Sequence, residues 1–443
     1  MSLSLVGGTV LTALDSPRLL RADVVITDRR ITIVGRAADG GSRRDCSGCL
    51  IIPGNVCGHT HLYSTLARGM PYRLEPPANF VQILQRVWWR LDRALDEAAI
   101  RASALVGGME ALLSGTTTVI DHHASPNAIE GSLDIIADAL ADLGLRSILC
   151  YEVTDRDGSA RAEAGVQENR RFLSAAHPLA RGLVGAHASF TLSVETLAAC
   201  VDAARGSQSG IHIHVAEDAA DERDCERRFR TRVVHRLAEA GALDARAILA
   251  HCVHVDDAEI AAILDAGAIV AHNARSNMNN AVGHTPVDRF DDYLILGTDG
   301  IGADMFDESR IAYWRGREDD VYLDMTWPLE RLAVAAHLAG STFGESLLGR
   351  LQPGAPADLT VLEYIPPTPL TEHTLAGHWL FGLTTRHVRD VIVDGQMVVA
   401  DRRLVRVDQD RIVAEAKTQS EHLWRRLEEV APHEFQPAGE ALR

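Results

Sequence analysis

The stretch LIIPGNVCGHTH, residues 50–61, joins a short apolar run to two histidines that are separated by one residue. Alternate residues of a strand lie on the same face, so His59 and His61 can direct both imidazole rings toward one metal ion. One such triplet is weak evidence in a chain with 19 histidines. A metal site is therefore predicted only if further ligand residues occur at suitable positions later in the chain.

Short apolar runs alternate with longer amphipathic patterns between about residues 53 and 352, which is typical of βα units around a parallel sheet. Six of the eight runs end in His or Asp. The runs end at Cys57, Asp121, Cys150, His187, His214, His251, His272 and Asp299. This pattern predicts an α/β fold in which residues 53–352 form a (β/α)8 TIM-like barrel.

The two ends of the chain have a different texture. Residues 1–52 and 353–405 show short β-branched alternation, and Asp394-Gly395 is a type I′ hairpin signal between two apolar runs. We expect the two segments to pair as a small discontinuous β-sandwich, with the barrel inserted between them. Residues 406–443 contain an amphipathic helical pattern that begins after Asp408, which predicts a helical tail packed on the outside of the barrel.

The carboxyl ends of barrel strands converge on one mouth, so residues that are distant in sequence can share a site there. On this basis His59, His61, His214, His251 and Asp299 are expected to meet. Three imidazole nitrogens and one carboxylate oxygen form an open ligand set that suits Zn²⁺ or Fe²⁺ and leaves room for a water molecule.

The same residues resemble a known family. The matching stretches are Pro53-Gly54 before His59-Thr60-His61, HVAE at 214–217, His251, TDG at 298–300 and LQPGAPADLTV at 351–361. They resemble the deaminase and chlorohydrolase branch of the amidohydrolase superfamily, and the resemblance covers nearly the whole chain. Residues 88–96, 121–126, 272–280 and 297–306 are most similar to the SsnA-like aminohydrolases. The resemblance implies metal-dependent hydrolysis, with His59, His61, His214 and Asp299 as metal ligands.

The lysine content bears on the number of metal ions. Binuclear members of the superfamily resemble one another in bridging two metals with a carboxylated lysine at the end of strand four. Here strand four ends at His187, and the single lysine of the chain is Lys417. We therefore expect one divalent ion per chain, with zinc favoured over iron. A bridging Asp or Glu carboxylate is the alternative that stays open.

Two carboxylates and one histidine can supply acid–base chemistry. Asp299 can accept a proton from the attacking water, and Glu217, three residues after His214, can protonate the ring nitrogen and the leaving amine. Departing ammonia needs a proton and departing chloride does not, so Glu217 favours deamination. The resemblance implies that His251 holds the water or the substrate, with weak metal ligation as an alternative.

Four further residues are candidates for substrate binding. His187 and His122 can hydrogen-bond a polar heterocycle or have a structural role. Arg68 can bind a substrate carbonyl oxygen or fix the first loop, and His272 is expected to shape the pocket wall. Trp88 and Trp89 lie in a helical pattern that fits either the core or a stacking platform.

Composition excludes several classes of partner. The formal net charge is −17 and basic residues do not cluster, which argues against nucleic acid and anionic membranes. No apolar run reaches the roughly 18 residues of a membrane span, and the first forty residues lack a signal-peptide pattern, so a cytoplasmic protein is expected. Seven irregularly spaced cysteines indicate no disulfide framework. The resemblance implies a homodimer or a larger homo-oligomer.

These features predict a deaminase that releases ammonia from an amidine-type carbon of a purine, pterin, pyrimidine or triazine. Hydrolysis of a ring amide or of a C–Cl bond at the same metal is the second hypothesis. The third is a catalytically silent barrel that acts within a complex. A silent barrel is expected to lose ligands or the acid–base group, and this chain keeps them.

Overall fold

The computed structural model describes residues 2–37 and 41–439. The chain begins with a strand-rich segment in which alternating β-branched residues bury one face. Its strands are β1 (Ser2–Leu11), β2 (Leu19–Thr27), β3 (Arg30–Gly35), β4 (Ser42–Asp45) and β5 (Cys49–Pro53). Strand β1 lies between β2, which is antiparallel to it, and β5, which is parallel to it.

The middle of the chain forms the barrel. Its strands are β6 (Asn55–Thr60), β7 (Thr116–His123), β8 (Arg146–Tyr151), β9 (Ala180–Gly182), β10 (Val184–Ala188), β11 (Ile211–Val215), β12 (Ile248–His251), β13 (Ile269–His272) and β14 (Leu294–Leu296). They pair in parallel in the orders β6-β7-β8-β9 and β10-β11-β12-β13-β14. Parallel bridges between Val153 and Ala186 and between Thr60 and Asp299 join the two arcs. The predicted α/β barrel is confirmed, with β9 and β10 sharing one strand position.

A second strand-rich segment completes the terminal sheet. Its strands are β15 (Leu359–Glu363), β16 (Val388–Val393), β17 (Gln396–Ala400) and β18 (Arg403–Leu404). The described sheet runs β18-β17-β16-β15-β5-β1-β2-β3, and β4 pairs with β1. Asp394 and Gly395, with φ of 51° and 75°, form the predicted tight turn between β16 and β17.

The described helices that precede β15 follow barrel strands, and the last two follow strands β15 and β18 of the terminal sheet. They are α1 (Phe80–Ile83), α2 (Trp89–Ala94), α3 (Glu97–Leu113), α4 (Ser132–Leu143), α5 (Ser159–Ser174), α6 (Val194–Ser207), α7 (Ala219–Phe229), α8 (Val233–Ala240), α9 (Asp257–Ala266), α10 (Ala274–Asn279), α11 (Met305–Asp319), α12 (Trp327–Phe343), α13 (Leu375–Phe381) and α14 (Gln409–Glu429). A π-helical turn, Leu84–Trp88, connects α1 to α2. Within residues 2–37 and 41–439, no helix combines the length and the apolar character that crossing a bilayer requires.

The C-terminal helix begins after Asp408, whose carboxylate accepts the backbone N–H groups of Asp410 and Arg411. It buries Ile412, Ala416, Leu423 and Leu427 and packs on α3 and α2. The helix ends at Glu429, and the chain continues without regular structure to Gly439. We refer to residues 430–439 as the C-terminal strap.

The strap crosses the loops at the carboxyl end of the barrel. The His433 N–H donates to the Gln85 carbonyl oxygen at 2.9 Å, and Gln85 Nε2 donates to the Phe435 carbonyl oxygen at 2.7 Å. Near its end, the Ala438 N–H donates to Asp224 Oδ1 at 2.7 Å. The strap therefore ties the helical segment after β6 to α7, which follows β11.

Candidate active site

Backbone hydrogen bonds between the first and last barrel strands bring the HxH triplet to Asp299. The N–H groups of Thr298 and Asp299 donate to the His59 carbonyl oxygen at 2.8 and 3.1 Å, and the His61 N–H donates to the Asp299 carbonyl oxygen at 3.3 Å. As a result, Asp299 Oδ1 lies 2.9 Å from His61 Nε2 and 3.5 Å from His59 Nε2. This seam of the barrel fixes three of the predicted ligands.

Hydrogen bonds at Nδ1 orient the rings. In His61 and His214 this nitrogen donates to the carbonyl oxygens of His122 and His187, at 2.6 and 2.9 Å. A carbonyl oxygen only accepts, so Nδ1 carries the proton and Nε2 keeps its lone pair when the ring is neutral. His59 Nδ1 lies 2.8 Å from His212 Nε2. Such partners fix the tautomer of histidines that bind metals.

The free ring nitrogens converge on one point. The Nε2 atoms of His61 and His214 are 3.1 Å apart, and one candidate ligand atom from each of His59, His214, His251 and Asp299 lies within 4.8 Å of the others. Among the described residues, neither His59 Nε2 nor His251 Nε2 has a hydrogen-bond partner, although both are buried. Lone pairs that converge beside a carboxylate fit a divalent metal ion.

The protonation states also fit metal binding. Burial lowers the pKa of His59 to about 3 and that of His214 well below its usual value, so both rings stay neutral at physiological pH. Burial alone would raise the pKa of Asp299, but the facing His59 and His61 side chains hold it well below its usual range. His61 differs from His59 and His214, because the facing Asp299 carboxylate outweighs burial and raises its pKa to about 9. The site thus offers two neutral imidazoles and an ionised carboxylate that is paired with His61.

Glu217 lies beside His251 at the edge of this cluster of nitrogens. Its Oε2 is 3.6 Å from His251 Nε2, and its Oε1 accepts a hydrogen bond from Asn280 Nδ2 at 3.3 Å. Burial, assisted by the negative charge of Asp299, raises the pKa of Glu217 to about 7. A carboxyl group with this pKa can hold a proton at neutral pH and deliver it, as a general acid must.

Three residues that direct these side chains have an uncommon backbone. The φ angles of Ala216, His251 and Asp299 are 45°, 75° and 51°. Left-handed conformations of residues other than glycine cost energy, and they cluster at functional sites where the surrounding structure enforces them. Here they occur at the ends of β11, β12 and β14, where the chain leaves the barrel.

A cavity of about 680 Å³, counting its open mouth, lies over these groups. His61, His214, Glu217 and Asp299 line its floor. Its side wall is formed by Phe80, Leu84, Trp88, Trp89 and Phe190, which we call the apolar wall. The cavity therefore combines an ionisable floor with an aromatic side.

Over residues 50–398 the chain matches the model of the amidohydrolase family. The chain belongs to the amidohydrolase family. A 5'-deoxyadenosine deaminase of Methanopyrus kandleri is 30% identical over 385 residues, which cover 84% of this chain and 86% of the relative. A 5-methylthioadenosine/S-adenosylhomocysteine deaminase of Natronomonas pharaonis is 31% identical over 448 residues, covering 96% and 99%.

Solved structures show the same fold at lower identity. An adenosine deaminase of Xanthomonas campestris with bound zinc superposes with a TM-score of 0.83 at 22% identity, over 95% of this chain and 98% of its own. The zinc complex of an atrazine chlorohydrolase of Arthrobacter aurescens gives 0.80 at 24% identity, over 94% and 100%. The resemblance inferred from the sequence is confirmed, and the protein is a hydrolase of the amidohydrolase family.

The predicted substrate-binding residues of this amidohydrolase occupy different places. His187 lines the cavity, and its Nδ1 lies 2.7 Å from Thr191 Oγ1. His122 is fully buried, with Nε2 near the carbonyl oxygens of Ala186 and His212 and Nδ1 at 3.3 Å from Glu152 Oε2. His122 therefore lies beneath the floor, whereas His187 is open to a ligand.

Arg68 and His272 are not brought to the cavity. The Arg68 side chain is 69% exposed and forms two hydrogen bonds with Glu110, at 2.7 and 2.8 Å. His272 is buried outside the lining, with Nδ1 at 2.9 Å from Thr285 Oγ1. The geometry gives Arg68 the alternative role of fixing the first loop.

Several residues of the site escaped the sequence analysis. His212, the partner of His59, lies two residues before His214, and this second HxH spacing was an available signal. A carboxylate oxygen of Glu152 lies within 4.8 Å of ligand atoms of His61 and His214, and its position just after β8 was a weaker signal. Ser276, which hydrogen-bonds Asp299 Oδ2, comes from α10 and lies in the stretch 272–280 that carries the family resemblance, but nothing in that stretch distinguishes it from its neighbours.

Asp221 connects two loops of the site. Its Oδ1 accepts the Phe190 N–H at 3.0 Å, and its Oδ2 accepts the N–H of Ala216, the residue before Glu217, also at 3.0 Å. The side chain is buried, so no water can replace either bond cheaply. Asp221 therefore positions Glu217 through the backbone.

Replacing Asp221 by Asn is expected to lower kcat by up to about 10²-fold, because one N–H group would then face an amide NH₂ and Glu217 would shift. Steady-state kinetics and metal analysis of D221N measure this, and metal content should not change. The matched control is D224N. Asp224 is a buried carboxylate of the same helix that accepts the Ala438 N–H instead. Equal losses in both variants would contradict a positioning role.

Proposed function

We propose that this amidohydrolase removes the 6-amino group of a purine nucleoside as ammonia, with one divalent ion per chain, zinc being favoured. The observation that carries the proposal is the buried Glu217 carboxyl group, which can hold a proton at neutral pH and lies beside His251 at the cavity floor. The names of the relatives, 5'-deoxyadenosine deaminase and 5-methylthioadenosine/S-adenosylhomocysteine deaminase, support the choice of ring.

His59, His61, His214 and Asp299 would hold the ion. When bound, a divalent ion lowers the pKa of a water molecule from about 15.7 toward about 7. Asp299 would accept a proton from the water molecule that attacks the amino-bearing ring carbon. Glu217 protonates the adjacent ring nitrogen. The C–N bond then breaks, and the amine leaves as ammonia with the proton carried by Asp299. The hydroxyl proton on the ring carbon passes to Glu217, which replaces the proton that Glu217 gave to the ring nitrogen, and an oxo group remains on the ring.

Two histidines orient the reactants. His251 Nε2 faces Glu217 and can hydrogen-bond the attacking water, while its Nδ1 is held by Asn277 Oδ1 at 2.7 Å. His187 lines the cavity and can contact the heterocycle. His251 would orient the water and His187 the ring. Holding the reactants in the reactive geometry lowers the activation barrier.

A second candidate, hydrolysis of a C–Cl or ring amide bond at the same ion, draws on the same floor. Chloride leaves without taking up a proton, so that step does not require a proton donor such as Glu217. A silent barrel would not need the ionised Asp299 beside the converging imidazoles of His59, His61 and His214. The acid–base pair Glu217 and Asp299 therefore favours deamination.

The test is an ammonia-release screen with metal-loaded protein. We expect 6-aminopurine nucleosides to yield ammonia and the 6-oxo product, with guanine, pterin, cytosine and aminotriazine compounds turned over at least about tenfold more slowly. Metal analysis of the same sample should give about one ion per chain. If none of these compounds releases ammonia, the proposal is contradicted. Release of chloride from a chlorotriazine would in that case favour the second candidate. Two ions per chain would contradict the single-metal proposal.

A further inference from the structure

A second cavity, of about 1350 Å³ counting its open mouth, lies at the other end of the barrel from the candidate active site. Gly210 lies just before β11 and Ile248 begins β12, and both residues line this cavity. His214 and His251 lie at the carboxyl ends of the same two strands. Within the described part of the chain, the two cavities share no lining residue. We call the second one the amino-end cavity. Because barrel enzymes carry out catalysis at the carboxyl end, the proposed reaction does not require it.

One wall of the amino-end cavity is an open edge of strand β9. The described sheets pair β9 with β8 only. The Leu179 carbonyl oxygen, just before β9, accepts the Ser147 N–H at 2.9 Å and so points toward β8. Backbone groups of successive residues in a strand point to opposite sides, so those of Ala180 and Gly182 point away from β8. Both residues line the cavity, and their N–H groups are therefore available to a ligand there.

Arg181, the central residue of β9, brings a guanidinium group to the same cavity. Its Nη1 donates to the carbonyl oxygens of His177 and Ala180 at 3.0 and 2.7 Å, and its guanidinium carbon lies 4.8 Å from the centre of the Phe343 ring. The bond to Ala180 also covers a carbonyl oxygen that would repel an anion. Among the described residues, no carboxylate pairs with Arg181 and no acceptor takes the N–H groups of its Nε and Nη2. Arg181 thus combines a fixed position with an uncompensated charge.

The described lining of the amino-end cavity has basic and apolar groups but no acidic side chain. This is unexpected in a chain whose formal net charge is −17. Arg246 is a second guanidinium in the lining, and its Nη2 lies 3.3 Å from Oδ2 of Asp244, which is outside the lining. Phe172, Leu183 and Ile248 supply apolar surface. A concave surface that is largely apolar and carries a few charged groups is typical of a small-molecule site.

We propose that the amino-end cavity binds a small organic anion that has one carboxylate on an apolar body. The forked guanidinium of Arg181 would take the carboxylate, because its parallel N–H groups match two carboxylate oxygens. The open edge of β9 would add backbone N–H donors, as sheet edges do at anion-binding concavities. Phe172, Leu183 and Ile248 would cover the apolar body, since burial of apolar surface is favourable. The site is separate from the proposed deamination and does not depend on it.

Calorimetric titration of metal-loaded protein with octanoate, 1-octanol and sulfate tests this proposal. Octanoate has both the carboxylate and the apolar chain, whereas 1-octanol lacks the charge and sulfate lacks the chain. We expect one octanoate per chain, bound at least about tenfold more tightly than either of the other two compounds. A hydrogen bond to a charged group and the burial of an apolar chain are each worth about tenfold or more. Failure of octanoate to bind, or equal affinity for 1-octanol or sulfate, would overturn the proposal.

Variants of Arg181 identify the place where octanoate binds. We expect R181Q to weaken octanoate binding by at least about tenfold, and R181K, which keeps the charge but loses the fork, to restore part of the affinity. The matched control is R101Q, since Arg101 pairs with Asp142 at the surface outside the cavity and should not affect octanoate. Wild-type affinity in folded R181Q, or an equal loss in R101Q, would overturn the assignment.

Two further measurements keep the test decisive. A carboxylate is also a metal ligand, so octanoate is titrated into D299N, in which metal binding is expected to be impaired. We expect D299N to bind octanoate with wild-type affinity, and a loss in D299N as large as that in R181Q would overturn the proposal. If R181Q does not fold, R246Q replaces it, because the Arg246 side chain is 55% exposed. Octanoate affinity that R246Q leaves unchanged would then contradict binding in the amino-end cavity.

Discussion

Replacing Glu217 by Gln is expected to lower kcat for ammonia release by about 10²- to 10⁴-fold, the usual contribution of a positioned acid–base group. Gln has the same shape and can keep the contact with Asn280, but it cannot deliver a proton to the ring nitrogen. Metal content and the circular dichroism spectrum should match those of the wild type. Stopped or continuous ammonia assays over a range of substrate concentrations separate kcat from KM.

The control is E110Q. Glu110 is also a glutamate paired with a neighbouring side chain, but it holds Arg68 on the surface outside the cavity. Because exposed ion pairs contribute little, E110Q should keep kcat within about twofold. A 6-chloropurine nucleoside gives a second comparison, since chloride leaves without a proton and E217Q should lose less activity on it. Full ammonia release by E217Q would exclude Glu217 as the proton donor.

Replacing Asp299 by Asn should abolish turnover and weaken metal binding. Loss of a residue that only hydrogen-bonds a metal ligand lowers metal affinity by about 10- to 100-fold, and we expect a larger loss here because Asp299 is itself a proposed ligand. The variant removes the negative charge that faces His59 and His61. Asn is a better choice than Ala, because it tolerates the left-handed backbone that Asp299 adopts, with φ of 51°. Metal analysis after dialysis against graded chelators measures the affinity.

Ser276→Ala is the matched variant for this second experiment. Ser276 Oγ hydrogen-bonds Asp299 Oδ2, whereas His59 and His61 approach the other oxygen, Oδ1. We expect S276A to weaken metal binding by about 10- to 100-fold and to retain measurable turnover at saturating metal. Wild-type metal affinity and turnover in D299N would show that Asp299 is neither a ligand nor a base.

The sequence sufficed for features that depend on local pattern. The buried positions Ile412, Ala416, Leu423 and Leu427 of α14 follow from helical periodicity, and its start at Asp408 follows from capping chemistry. The strand ends were found because buried parallel strands are short apolar runs. Convergence of those ends on one mouth then placed His59, His61, His214 and Asp299 together without any knowledge of loop shapes.

Local sequence patterns could not predict the positions of residues that depend on loops and long side chains. Arg68 follows the HxH closely in sequence, yet its side chain pairs at the surface with Glu110, 42 residues later on α3. Ser276 and Asn277 contact Asp299 and His251 from α10, a helix that follows a different barrel strand from either of those residues. The pairing of distant side chains is decided by tertiary packing, which no local window of sequence contains.

The terminal sheet also constrains how the molecule can be made. Strand β5 pairs with β15, so that Ile51 lies beside Val361 in the sheet although the whole barrel separates them in sequence. Contacts between residues so distant in sequence form slowly, because a long loop must close first. During synthesis, β5 keeps one edge unpaired until residue 359 has left the ribosome, and an open apolar edge invites pairing with other chains. The amino-terminal strands thus depend on the last quarter of the chain to become part of a finished sheet.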